Sequence, residues 1–428
     1  MAVTQLTRIF KEFFQSEKAG GLLLIGCTVV SILLANSGVG AGYIHFWHAR
    51  LDLSFSNVPL DYSVEHWVND GLMAIFFLMV GLEIERELYV GELANFKKAL
   101  LPILAAAGGM LVPAAGHFLF NHGTPTQSGV GIPMATDIAF ALGILSLLGN
   151  KIPASLKIFL TALAIIDDLG AILVIAIFYT KTLSLLYLGF ALGIFGVLLI
   201  MNKCKVTHLI FYLIPGILMW YCMLRSGIHA TISGVLLAFA IPFRTSLKKA
   251  LPTDHSQLTT HLPPIPTPHS PNLKIPKSQN STLTFHNPSE RLQHWLHKPV
   301  AFFILPVFAL ANTGILLSTG WHHTLLTANS LGILVGLVLG KPVGILLFCL
   351  LAIRFKLCQL PDDMNRSHLL GAGTLAGIGF TMSIFIANLA FELPELIQDS
   401  KIAILAASLL ASVLGYFFLI RAGEKIAA

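Results

Sequence analysis

The stretch 162-ALAIIDDLGAILVIAIF-178 holds two adjacent aspartates, Asp167 and Asp168, in a run otherwise built from Ala, Ile, Leu, Val, Gly and Phe. With its apolar flank it reaches the length a helix needs to cross about 30 Å of hydrocarbon. An ionisable side chain at mid-depth costs about 2.5–3.5 kcal/mol or more. A chain that keeps two of them there has a use for them.

The rest of the chain agrees with a membrane setting. Of its 428 residues 55% are hydrophobic and 11% charged, and the mean hydropathy is +0.78. Soluble domains carry about 25% charged residues. The apolar stretches are continuous runs rather than alternations, so they read as helices and not as strands of a closed barrel. Twelve fall near 20–36, 66–84, 99–120, 129–148, 156–178, 183–201, 207–224, 229–243, 299–318, 329–353, 367–391 and 402–420. Placing both termini in the cytoplasm puts 22 of the 27 Lys and Arg on the inner side and four on the outer side, with Lys341 inside a span. Such an asymmetry is the mark of that orientation.

Several classes are excluded or disfavoured. The five cysteines are scattered and form no CxxC pair, so neither a disulfide framework nor a zinc site is expected. Charges at Arg8, Lys11, Glu12, Glu17 and Lys18 interrupt the start, which does not read as a signal peptide. The pI near 9.0 reflects basic inner loops rather than a nucleic-acid partner. No cofactor is expected.

Two loops stand apart. The outer segment 48-HARLDLSFSNVPLDYS-63 alternates Leu51, Leu53 and Phe55 with Asp52, Ser54 and Ser56. Period two suggests a short β-hairpin within residues 45–62, turning near Asn57–Pro59, with an ordinary outer loop as the alternative. Its open edge offers pairing to a second copy. Residues 251–288 are rich in Pro, Ser, Thr, His and Asn and read as a flexible cytoplasmic insertion in a single transporter domain.

Asp137, Asp167, Asp168 and Lys341 all fall inside spans, and three acids against one base leave room for a mobile cation. Adjacent helical positions are about 100° apart, so Asp167 and Asp168 are expected to have different partners. Carboxylate oxygens suit a hard cation such as sodium, and a proton competes for them. Two spans also look broken. In 131-GIPMATDIAFALG-143, Pro133, Thr136 and Asp137 sit mid-span. In 372-AGTLAGIGFTMSIFIA-387, Gly377 and Gly379 precede Thr381. Each is expected to stop, extend and restart, the arrangement of a transporter's binding site. Where broken helices cross, Asp137 suits the facing N-terminal ends. Lys341 suits the facing C-terminal ends, or pairs with Asp167.

The stretches 76-FFLMVGLEIERELYVGEL-93, 133-PMATDIAFALGIL-145, 164-AIIDDLGAI-172, 225-RSGIHATISGV-235, 305-LPVFALANTGI-315, 339-LGKPVGI-345 and 377-GIGFTMSIFIANLAF-391 together resemble the bacterial NhaA-type sodium/proton antiporters. The resemblance implies an all-α polytopic inner-membrane protein with inverted repeats and two crossed, broken helices. It implies export of sodium or lithium against two entering protons. Asp167 and Asp168 would hold the cation or the protons, with Thr136 and Asp137 at the crossing and Lys341 as the embedded base. Glu83, Arg86 and Glu87, with Arg291, His294, His297 and His229, would form a pH-responsive cluster at the cytoplasmic face. A homodimer joined by the outer hairpin is implied as well. Gln293 stands where an acid is expected and Glu85 where a base is expected. Two other classes fit less well: an intramembrane aspartyl protease, whose GxGD signature is missing beside Asp137, and a sodium-coupled solute symporter, which would want more polar residues in its spans.

Overall fold

Runs with few polar side chains leave the backbone to satisfy its own hydrogen bonds, and this chain does so almost entirely as helices. A computed structural model describes residues 17–54, 59–149, 152–180, 183–243, 287–317 and 320–427. α1 (Glu17–Ala35) turns by 113° into α2 (Gly40–His48), and β1 (Arg50–Asp52) pairs antiparallel with β2 (Asp61–Ser63). Then come α3 (Val64–Tyr89), α4 (Phe96–Asn121), a 3-10 segment Pro125–Met134, α5 (Ile138–Leu147), α6 (Ala154–Phe178), α7 (Leu185–Lys203), α8 (Ile210–Ser226) and α9 (Ile232–Ala240). The second half holds α10 (Pro288–Asn312), α11 (Ala328–Arg354), α12 (Arg366–Ala376), α13 (Phe380–Ala390) and α14 (Pro394–Ala427).

All twelve expected apolar segments are helical, but they are not all full spans. Among the described residues, seven helices are long and apolar enough to cross a membrane, or up to ten if each bent pair counts once. The two short helices α8 and α9 complete the twelve. At nine residues α9 reaches about 13.5 Å, less than half of the hydrocarbon thickness.

The hairpin is smaller than its alternation predicts. Residues 45–48 belong to α2, the strands cover only 50–52 and 61–63, and Leu51 and Leu53 are both exposed. The alternation begins only at Leu51, and the residues before it close a helix that buries Trp47 instead. The predicted turn at Asn57 and most of the 251–288 insertion lie outside the described residues. Asn287 and Pro288 are exceptions, since they cap and open α10.

A long helix, a broken span and a long helix occur twice, as α4, the 3-10 segment with α5, and α6, then as α11, α12 with α13, and α14. α4 and α11 pack antiparallel, Gly108 against Gly344, Pro113 against Gly340 and His117 against Gly332. They cross where both lack a side chain: a Cβ on Gly108 would collide with the Gly344 carbonyl, and one on Gly344 with the Gly108 carbonyl. Lipid tails offer helices no hydrophobic reason to associate, so close backbone packing carries this contact. Gly108→Ala is expected to lower stability by about 1–3 kcal/mol through overpacking. Gly116→Ala, whose Cβ meets nothing within 4 Å, is the neutral control. Thermal unfolding in detergent checks both.

Candidate ion site at the helix crossing

The chain breaks where side chains replace the missing helical hydrogen bonds. The 3-10 segment and α5 meet at 42° across Ala135–Asp137, and α12 and α13 at 47° across Gly377–Gly379. Ala135 and Asp137 are extended, with ψ of 151° and 96°. Gly377 and Gly379 are not: their ψ values are −4° and −22°. The second break is therefore a turn rather than the expected extended stretch. Its glycines serve close approach, because a Cβ on Gly377 would strike the Leu337 carbonyl.

The breaks touch directly, as the Asp137 amide donates to the Ile378 carbonyl at 2.6 Å. Two helix N-termini and two C-termini thus converge. Asp137 serves both N-termini. Its Oδ1 accepts from the Phe140 amide at 2.9 Å, and its Oδ2 accepts from the Thr381 amide at 3.1 Å and the Thr381 hydroxyl at 2.6 Å. One carboxylate faces the partial positive charge of both ends. The C-termini receive donors instead: Lys341 Nζ donates to the Met134 carbonyl, and the Thr136 hydroxyl lies 2.9 Å from the Ala376 carbonyl.

Lys341 reaches this point because five residues of α11, Gly336–Gly340, form a π-helical turn just before it. Its Nζ lies 3.0 Å from Asp167 Oδ2, and both side chains are fully buried. Thr136 Oγ1 is 2.7 Å from the same oxygen. The one Thr136 hydroxyl proton is shared between this oxygen and the Ala376 carbonyl, so the two Asp167 oxygens are unlike: Oδ2 has Lys341 and Thr136 within reach, and Oδ1 has no donor among the described residues. Asp168 Oδ1 is likewise buried without a donor. Asp168 lies within electrostatic reach of Asp167, Glu83 and Asp137, against Lys341 alone on the cationic side. Buried acceptors left unpaired are costly, and a proton or hard cation satisfies them.

Sequence reading missed some participants. The Met134, Ala376 and Ile378 carbonyls have no sequence signature. The hydroxyl of Ser383 donates to the Ile132 carbonyl at 2.7 Å and that of Tyr179 to the Ser128 carbonyl at 2.8 Å. Both tie the 3-10 segment in place, and only their nearness to the broken stretches pointed to them.

The expected pH-responsive residues divide between the two ends of the bundle. Arg86 pairs with Glu87 at 3.0 Å, and the first turn of α10 packs on the same end of α3 through Glu85 and Ser289, 2.9 Å apart. Arg291, His294 and His297 are exposed on α10 beyond that contact. His229 does not join them, which corrects the sequence grouping. It faces Asp70 at 3.5 Å, with His66 at 3.0 Å from the same carboxylate. Asp70 precedes Glu83 by thirteen residues on α3, about 20 Å along the axis. The reason is topological: the start of the eighth span lies at the hairpin end.

Interrupted helices crossing over buried ionisable groups in a polytopic bundle define a secondary transporter. The chain belongs to the family described as Na+/H+ antiporter 1, whose profile matches residues 11–419. A Na(+)/H(+) antiporter NhaA of Flavobacterium psychrophilum is 55% identical over 415 residues, 97% of this chain and 96% of that protein. One of Dechloromonas aromatica is 54% identical over 418 residues, with 97% and 96% covered. One of Cytophaga hutchinsonii is 52% identical over 415 residues, again 97% and 96%. The family is one of antiporters, which removes the protease reading. With its many apolar helices the chain is a multi-pass membrane protein.

Proposed function

We propose that this protein expels sodium or lithium from a bacterial cell in exchange for two entering protons per ion, across the inner membrane. The distribution of Lys and Arg supports cytoplasmic termini, with the hairpin end facing outward. The observation that carries the reading is the pair of buried acceptors, Asp167 Oδ1 and Asp168 Oδ1, next to an acid excess around Asp168. Protons and one sodium ion compete for these carboxylates. Loading one excludes the other, and the crossed breaks let the site face each side in turn. Asp137 stays with the helix ends, where it already has three donors.

Glu83, Arg86, Glu87, Arg291, His294 and His297 make up the pH-responsive face, at the cytoplasmic end of α3 and α10. The exposed strand edge at residues 50–52 joins two copies into a homodimer. Sodium added to energised everted vesicles is expected to dissipate the pH gradient with no organic solute present. A requirement for a solute would instead support the symporter reading.

A further inference from the structure

At the hairpin end, three helices repeat one arrangement. α3 carries Asn69 outside Phe77, α10 carries Asn312 outside Phe308, and α13 carries Asn388 outside Phe385. The asparagines meet. Asn312 Nδ2 donates to Asn69 Oδ1 at 2.8 Å, and Asn388 Nδ2 donates to Asn312 Oδ1 at 2.6 Å. The Phe308 carbonyl lies 3.0 Å from Asn312 Nδ2. Asn388 Oδ1 is buried with no donor among the described residues.

The phenylalanines meet as well. The Phe385 ring centroid lies 5.5 Å from that of Phe77 and 6.3 Å from that of Phe308, and His229 closes a further side at 5.8 Å. All three phenylalanines are at most 1% exposed. On α13, Thr381, Phe385 and Asn388 are spaced i, i+4 and i+7, so they share one face. That face runs from the carboxylate of Asp137 to the asparagines over about 10.5 Å. It reads polar, apolar, polar.

We propose that Asn69, Asn312 and Asn388 form a second cation station, for a partly hydrated sodium-class ion, on the outer side of an apolar gate made by Phe77, Phe308 and Phe385. The proposal rests on the exchange reading. Amide and carbonyl oxygens are hard donors that suit such an ion. Having no net charge, they hold it weakly enough for release, while a dry aromatic constriction bars water and ions until it opens. The central site has carboxylates and binds more firmly. An ion leaving it passes Phe385 and meets the amides before bulk water.

Asn388→Cys, treated with a membrane-impermeant thiol reagent from the hairpin face of right-side-out vesicles, tests the station. Asn69→Cys on α3 is the second reporter should the first not fold, and the parent with its five native cysteines is the control. The reagent is expected to inhibit exchange by the variant and not by the parent, and added sodium chloride is expected to slow the inhibition. Asn388→Ala is expected to raise half-saturating sodium at the outer face about fivefold, the equivalent of one lost hydrogen bond, with little change at the inner face. An active parent whose cysteine variants resist the outer reagent, or react equally with and without sodium, would overturn the station alone. A parent that does not exchange sodium for protons would overturn the exchange reading and the station with it.

Discussion

Asp168→Asn is expected to abolish exchange. An amide keeps the shape of the carboxyl group but neither takes up and releases a proton nor neutralises a cation. Asp168 sits 3% exposed, with no donor to Oδ1 among the described residues. Folding does not depend on its charge in the way it depends on Asp137, so the variant is expected to insert and melt like the parent. Asp167→Asn is expected to be severely impaired too, and less stable, because it leaves the buried Lys341 ammonium unpaired. Sodium-driven proton release is the measurement. Near-parental exchange by folded Asp168→Asn protein would refute the site.

Replacing Lys341 with Gln is the second large effect. The ammonium joins three elements, through the Met134 carbonyl and Asp167 Oδ2. Removing one partner of a buried ion pair costs about 3–5 kcal/mol. The unpaired Asp167 relieves part of this by holding a proton. A clear fall in melting temperature is therefore expected. The charge balance decides what Lys341 does in transport. Two protons for one sodium moves one net charge, to which 100 mV contributes about 2.3 kcal/mol. Two carboxylates suffice for two protons, and Lys341 already serves a helix end, so the surviving exchange is expected to stay electrogenic. Reconstituted Lys341→Gln protein that exchanges without generating a membrane potential would show that Lys341 itself carries a proton.

Much of this was legible in the sequence for a physical reason. Each apolar run must form a helix because no other backbone arrangement satisfies itself in lipid, so their number and type follow from composition. The distribution of Lys and Arg adds the expectation of which face is cytoplasmic. Asp137, Asp167, Asp168 and Lys341 stand out because ionisable groups at that depth are rare and costly. Gly377 and Gly379, with Pro133, mark the breaks.

What the tertiary structure alone decided concerns partners. Nothing local says that Asp137 serves two helix ends, one of them 244 positions away. Nothing says that Lys341 meets the Met134 carbonyl, since a backbone oxygen looks the same at every position. His229 was misplaced because a resemblance gives a residue's role but not which end of the bundle it occupies. The hairpin was overdrawn because the alternation covers only Leu51–Ser56, while the residues ahead of it belong to the helix Gly40–His48. Asn69, Asn312 and Asn388 were invisible as a group, being ordinary polar residues near three span ends. Only the packing of α3, α10 and α13 brings them together. Sequence fixes which groups are too costly to be idle, and long-range packing fixes what each of them touches.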